Sequence, residues 1–469
     1  MKRGGSVARR LAVIGGGWAG CAAAVELASA GHQVSLFEAA RSLGGRARAL
    51  PLHGLTLDNG QHILLGAYSS TLAMLKRVGV RRADAFLTMP LQMRYPRAGV
   101  NRGVVNGLDP GLDPGLDPGL DAGMDFVAAP LPAPFHLALA LLRAKGLARA
   151  DKLSLARFST SARWMDWTLH HDCSVAELLE RFDQTARLTA LMWRPLCLAA
   201  LNTAPERASA QVFLAVLRDS LGASRAASNM LLPRVDLTAL FPQAAARHLA
   251  AHGGVLRTGA AVTALAQGAG AWQVDSTAFG SERFDGVVLA VPPPAASKLL
   301  GALPLAPLCA ILDAFEYEAI TTCYLQYDAA LRLPLPFCAL RDDAATGRHG
   351  QFVFDRGQLD GAQAGLLAVV ISAAGLAATL DQAALARLLA AQLAAAFGLA
   401  ALATPRWHQV ITDKRATFAC TPALARPANA SGLAGLVLAG DYTVGAYPAT
   451  LEGAVRSGVA AARLLGGPA

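Results

Sequence analysis

Three glycines at fixed spacing open the chemistry of this chain. Gly15, Gly17 and Gly20, within Gly15-Gly16-Gly17-Trp18-Ala19-Gly20, fit the pattern G-x-G-x-x-G. In such a turn the first glycine allows a tight bend, the second lets backbone approach a pyrophosphate, and the third lets helix and strand pack closely. Glu38 follows roughly 20 residues later, where an acid can accept hydrogen bonds from an adenosine ribose. A second glycine turn, Gly44-Gly45-Arg46, lies just beyond, with Ala39 and Arg41 between. A polar patch, Asp58-Asn59-Gly60-Gln61-His62, interrupts apolar runs; Asp-Asn-Gly is strong turn chemistry, so it reads equally as a hydrogen-bonded turn or a functional site. Near the far end stand Gly440 and Asp441, then Ala449-Thr450-Leu451-Glu452-Gly453-Ala454.

The elements around the first turn have the order a dinucleotide site needs. Leu11–Ile14 is a short apolar run bounded by glycine, as expected of a buried parallel strand. A small-residue helix is predicted from Cys21 to Ala30, stopped by Gly31. A second strand is predicted over Gln33–Phe37, ending in Glu38. The helix N-terminus points free N–H groups and the positive end of its dipole at phosphates. At the other end, Leu436–Ala439 reads as a strand into Gly440-Asp441, with a helix running to about Leu465. A Gly-Asp pair alone carries no information; paired with the N-terminal fingerprint it does.

Composition narrows the class. The chain has 469 residues, enough for about three domain-sized units, although large α/β enzymes often need two. Hydrophobic residues make up 54% and charged residues 16%, so a large core is available and disorder is not expected. No apolar run reaches the ~18 to 20 residues of a membrane span. The start resembles a signal peptide, but the first nucleotide strand and helix explain it better, so a cytoplasmic protein is expected. The seven cysteines form no CxxC pair, which suits a reducing compartment, and no metal site is expected. The net charge of +9 comes without a basic block interleaved with aromatics. Nucleic acid is therefore not expected, and weak attraction to a membrane surface is the preferred reading.

The middle supplies a second unit. Tyr68–Gly79 reads as an amphipathic helix. The tetrapeptide repeat of residues 107–123 cannot continue a helix or a ladder and reads as a low-complexity loop. Pro130–Lys145 has an apolar body and a basic end, which fits either a core helix or one that dips into a membrane surface. Helices are predicted over Ser174–Phe182, Thr185–Leu201, Pro205–Leu221 and Val235–His252. Strands are predicted over Val255–Leu265, Trp272–Val274 and Phe284–Val291, then over Ile320–Tyr327, Gln351–Phe354 and Leu366–Ser372. Gln382–Phe397 reads as an alanine-leucine helix. The fold class is thus α/β: a Rossmann-like nucleotide-binding domain from residues 7–66, 230–300 and 405–467, and an α+β substrate domain from residues 67–229 and 301–404. The second domain should combine an antiparallel sheet with a helical block.

These motifs together resemble the flavin amine oxidase and phytoene desaturase superfamily. The second glycine turn with Arg46 is the feature that favours FAD over NAD. Blocks at residues 57–68, 193–203, 205–222, 230–240 and 440–454 are similar to the squalene-associated FAD-dependent desaturases, the hydroxysqualene dehydroxylases. The repeat at residues 107–123 departs from the family pattern. The resemblance implies a GR2-type FAD-binding domain. It also implies that Gly60 and Gln61 lie against the flavin, that Val262 contacts adenine through its backbone, and that Asp441 reaches the ribityl chain or pyrophosphate. The N-terminus of the last helix, at Ala449, Thr450, Leu451 and Ala454, would lie under the flavin edge.

The implied reaction removes the allylic hydroxyl of a C30 isoprenoid by hydride transfer from reduced FAD. An acid would help water leave, with His62 the first candidate and Asp58 the second. Peripheral contact with the inner face of the cell membrane and proximity to upstream squalene-pathway enzymes are implied too. Rival readings are a carotenoid-type desaturase, an amine or porphyrinogen oxidase on the same fold, and a non-catalytic flavin- or lipid-binding protein.

Overall fold

The computed structural model describes residues 8–96, 123–268 and 270–466. The strand Arg10–Ile14, almost wholly apolar, sits at the centre of a five-stranded parallel sheet. The sheet order is Val255–Thr258, Gln33–Glu38, Arg10–Ile14, Gly286–Leu289 and Leu436–Leu438. A central strand buried on both faces must be apolar at every position, and Leu11, Ala12 and Val13 are fully buried. The helices Trp18–Ser29 and Leu451–Gly466 pack together over this sheet. Their approach depends on Gly458, where a Cβ would lie 2.1 Å from the Ala19 carbonyl oxygen. The two ends of the chain therefore build one unit.

A second five-stranded sheet is antiparallel, in the order Phe337–Ala339, Phe352–Asp355, Leu366–Ile371, Tyr317–Gln326 and Trp407–Phe418. Side chains alternate between its faces. Cys323, Leu325, Val353, Leu367 and Val369 pack with Leu385, Leu389 and Leu393 of the helix Gln382–Phe397. Tyr324, Phe352, Phe354 and Ala368 turn the other way, into the core shared with the helical block. That block holds Val175–Arg181, entered through a reciprocal Ser174–Glu177 cap, and Ala210–Leu217, capped by Ser209. Between them, residues 186–201 run as one helix with a π-helical stretch at Thr189–Trp193.

Several expected boundaries move. The first helix begins at Trp18, because Gly17 already serves as its cap. The helix expected from Pro205 begins at Ala210, since Ser209 holds the Val212 N–H. Pro242 divides the helix expected over 235–252 into Leu237–Leu240 and Pro242–Ala251. The strand expected over 255–265 is two: Val255–Thr258 in the parallel sheet and Val262–Gln267 in a separate three-stranded sheet. Phe284–Val291 divides likewise between Gly280–Phe284 and Gly286–Leu289. The expectation that residues 405–467 lie wholly with the nucleotide sheet fails for Trp407–Phe418, which hydrogen-bonds along Tyr317–Gln326. Of the repeat at 107–123, only Gly123 falls among the described residues.

Candidate functional site

The glycine turn has the geometry its spacing demands. Gly15 has φ +106°, and a Cβ there would lie 2.5 Å from the Ala290 carbonyl oxygen. At Gly20 a Cβ would lie 1.8 Å from the Gly15 carbonyl oxygen, so no other residue lets helix and strand come this close. Gly17 differs: a Cβ would meet nothing within 4 Å, leaving open space at the cap of the first helix. Its neighbours Trp18 and Ala19 are buried, with the Trp18 indole against Phe241 and donating to the Ala47 carbonyl. The second turn docks on the first. Gly44 N–H donates to Gly16 O at 2.9 Å, and Gly45 lies against Gly17.

Glu38 binds this corner together. One carboxylate oxygen accepts from Gly16 N–H and the other from Ala40 N–H, both at 2.7 Å. Ala39 and Arg41 beside it are exposed. The Glu38 carbonyl accepts from Ala260 N–H at 2.9 Å, which brings the start of the Val262 strand to the same edge.

Arg46 closes the site by pairing with the opposite end of the chain. Its guanidinium donates to both Asp441 carboxylate oxygens, at 2.7 and 2.6 Å, and to the Ala416 carbonyl at 2.7 Å. Arg426, which sequence reasoning passed over, donates to the carbonyls of Asp441, Tyr442, Gly445 and Tyr447 and so shapes the loop after Gly440. That loop leads through Ala449 and Thr450 to the final helix at Leu451, where Thr450 Oγ1 accepts from Gly453 N–H at 3.0 Å. Ala454 lies in the first turn. Buried Glu452 looks the other way and accepts from the N–H groups of Ser70 and Thr71, anchoring the helix Ser69–Arg77.

The polar patch is a junction between the two units. Tyr324 OH donates to the Asp58 carbonyl at 2.7 Å and accepts from Gln61 Nε2 at 2.7 Å. Gln61 Oε1 accepts from Arg356 at 3.0 Å, and Arg356, itself buried, also donates to Gln363. Tyr324 and Arg356 were not singled out in the sequence. The available signal was an Asp-Arg pair ending the apolar run Phe352-Val353-Phe354, and a tyrosine inside an apolar strand.

The two sequence candidates for the acid differ in protonation. His62 Nδ1 lies 3.0 Å from the Gly60 carbonyl, which can only accept, so the proton sits on Nδ1 and Nε2 is an acceptor. Burial pushes the His62 imidazolium below its ordinary range; the Gly60 contact opposes this and Arg46 adds to it. A neutral ring is therefore expected at pH 7, which does not suit the role of acid. Asp58 is the reverse: burial pushes its carboxyl up to about 7, against the Leu237 N–H and Arg356. One of its oxygens accepts from Leu237 N–H at 2.8 Å, tying the strand Leu55–Asp58 to the helix at Leu237.

The arrangement fits a flavin dinucleotide on its own geometry. The open space at Gly17 is where a pyrophosphate would need backbone access. Three buried polar atoms, Thr322 Oγ1, Tyr317 OH and Tyr442 OH, have no partner within the described residues. Thr322 Oγ1 lies 3.9 Å from where a Gly60 Cβ would be, and Tyr317 is within electrostatic reach of Arg46 and Asp441.

Comparison with known proteins agrees. Residues 18–465 match the family model for flavin containing amine oxidoreductase. The chain belongs to this flavin amine oxidoreductase family. It binds FAD and is an FAD-dependent oxidoreductase. Within the family it is 30% identical over 475 aligned positions to a hydroxysqualene dehydroxylase of Rhodopseudomonas palustris, covering 97% of each chain. A zeta-carotene desaturase of Synechocystis is 36% identical over 74 residues, which is 16% of this chain and 15% of that one. Among solved structures, cyclohexylamine oxidase from Brevibacterium oxydans superposes with a TM-score of 0.66 at 17% identity, covering 98% of this chain and 99% of that one. That likeness concerns the fold.

Proposed function

We propose that this enzyme reductively removes the hydroxyl of hydroxysqualene to give squalene. The observation that carries the reading is the end-to-end match to a hydroxysqualene dehydroxylase, set against the short match to a carotene desaturase. The reaction breaks one C–O bond and forms one C–H bond; a proton leaves with the hydroxyl as water. Bound FAD, when reduced, supplies the hydride and its electron pair. Gly15, Gly17, Gly20, Gly44, Gly45 and the first helix would hold the pyrophosphate, and Glu38 with the Val262 segment the adenosine. Arg46, Asp441 and the start of the final helix would hold the flavin end.

The chain's own groups divide the remaining work. His62, neutral with a free Nε2, accepts a hydrogen bond from the substrate hydroxyl and orients the C–O bond without removing its proton. On protonation alone Asp58 outranks His62 as the acid, because its carboxyl titrates near neutrality. The high apolar content of the chain suits a C30 substrate, whose burial dominates binding. The same chemistry places the substrate in lipid before it is bound.

The test is anaerobic incubation of the reduced holoenzyme with hydroxysqualene, read by mass spectrometry. Squalene is the expected product. Turnover of a carotene or an amine instead, with hydroxysqualene untouched, overturns the reading.

A further inference from the structure

Two consecutive helices, Phe135–Arg143 and Arg149–Trp164, bury part of their apolar side chains but leave four large ones exposed. On the first, His136 and Ala140 face inward and are buried, while Phe135 and Leu142 stand 63% and 71% exposed. On the second, Leu153 and Trp164 lie about three turns apart, so they share one face. Leu153 is 60% exposed and Trp164 is 90% exposed. Lys152 Nζ donates to the Leu142 carbonyl at 2.8 Å, which ties the start of the second helix to the end of the first. Leu131 extends the patch just before the first helix. Exposed apolar residues scattered singly are ordinary, but four large ones on adjoining helices are not.

The stretch that carries them is mainly basic, with the exposed Asp166 just beyond Trp164. Residues 130–164 hold six basic side chains: Arg143, Lys145, Arg149, Lys152, Arg157 and Arg163. Their one acid, Asp151, is buried and accepts from Ala148 N–H and Thr185 OH, so it does not offset the exposed face. Apolar side chains in a basic rim, with an indole at one end, match the boundary of an anionic bilayer. An acidic protein partner would satisfy the rim but would not require an isolated, solvent-immersed indole.

We propose that this two-helix face docks the enzyme on anionic lipid bilayers. The docking stands on its own geometry, whether or not the substrate is hydroxysqualene. It is tested by flotation of the FAD-loaded, full-length protein with vesicles, without turnover. Wild type should float with mixed phosphatidylglycerol and phosphatidylcholine vesicles, less with phosphatidylcholine alone, and less as salt rises. The double variant Leu142→Ser/Trp164→Ser should lose about tenfold or more in vesicle affinity. Its flavin absorbance and melting temperature should be unchanged, since both side chains stand in solvent. Arg149→Glu/Arg157→Glu should remove the preference for the anionic vesicles. Failure of wild type to float with anionic vesicles overturns the proposal, as does a double variant that floats equally well. A dimer in size-exclusion chromatography that the double variant abolishes, with flotation unaffected, would assign the face to a second copy instead.

Discussion

The nucleotide half and the antiparallel half are built by different means. Around the parallel sheet the site consists of backbone: glycines with no side chain, N–H groups at a helix cap, and one acid, Glu38, that holds two of them. Around the antiparallel sheet it consists of side chains from distant positions, linked as Arg356 to Gln61 to Tyr324 to the Asp58 carbonyl. A backbone site tolerates little at a few positions and much elsewhere. A side-chain network spreads its tolerance, and each member can be removed with a measurable remainder.

The largest effect should come from the glycines. Gly17→Val should abolish bound flavin, read from visible absorbance, while circular dichroism shows a folded chain, because the new side chain enters open space. Gly20→Ala should instead prevent folding, its Cβ being driven into the Gly15 carbonyl. A flavin-replete Gly17→Val enzyme would break the claim that the open space receives a cofactor.

Next in size is the Arg46–Asp441 pair, which joins the chain's two ends. A double-mutant cycle with Arg46→Met and Asp441→Asn should give a coupling of about 1 to 3 kcal/mol in FAD binding, as charged hydrogen bonds do when partly shielded from water. Additive effects would mean that the two residues act separately.

On the other side of the comparison, Tyr324→Phe leaves the Asp58 carbonyl without its donor and Gln61 without an acceptor. Denaturant unfolding should show a loss of about 1 to 3 kcal/mol. Turnover should fall while flavin content stays full; a parallel loss of both would place the network in cofactor binding instead.

The smallest effect is in pH dependence. The Asp58 carboxyl titrates at about 7 when folded and near 3.8 otherwise. Its contribution to stability is thus complete below the lower value and is lost as pH rises through the upper one. Melting temperature should therefore decline more steeply from pH 5 to 8 in wild type than in Asp58→Asn, which keeps the acceptor for Leu237 N–H. Equal slopes would remove Asp58 as the titrating group.

Legibility followed the same divide. Gly15, Gly17, Gly20, Glu38 and the turn at Gly44 lie within one short stretch, and their spacing is a local geometric requirement. Strand and helix order around them was equally readable, because apolar period and glycine stops act within a few residues. The errors fell where a local rule met a tertiary choice. The run 255–265 is apolar enough for one strand, yet its first part pairs with Gln33–Glu38 and its second part with Trp272–Ser276. Trp407–Phe418 carries no sign of which sheet it will join.

The sequence by itself determined that a dinucleotide is held at the first strand–helix turn, because glycine spacing fixes backbone geometry without reference to the rest of the chain. It also determined that the far end returns to that site, through Gly440-Asp441 before a terminal helix. Only the tertiary structure decided what Asp58 and His62 are. Their protonation depends on burial and on Leu237, Arg356, Gly60 and Arg46, and three of these four lie outside the local turn. Likewise only the fold decided that Phe135, Leu142, Leu153 and Trp164 face water, since an amphipathic pattern specifies a face but not what will cover it.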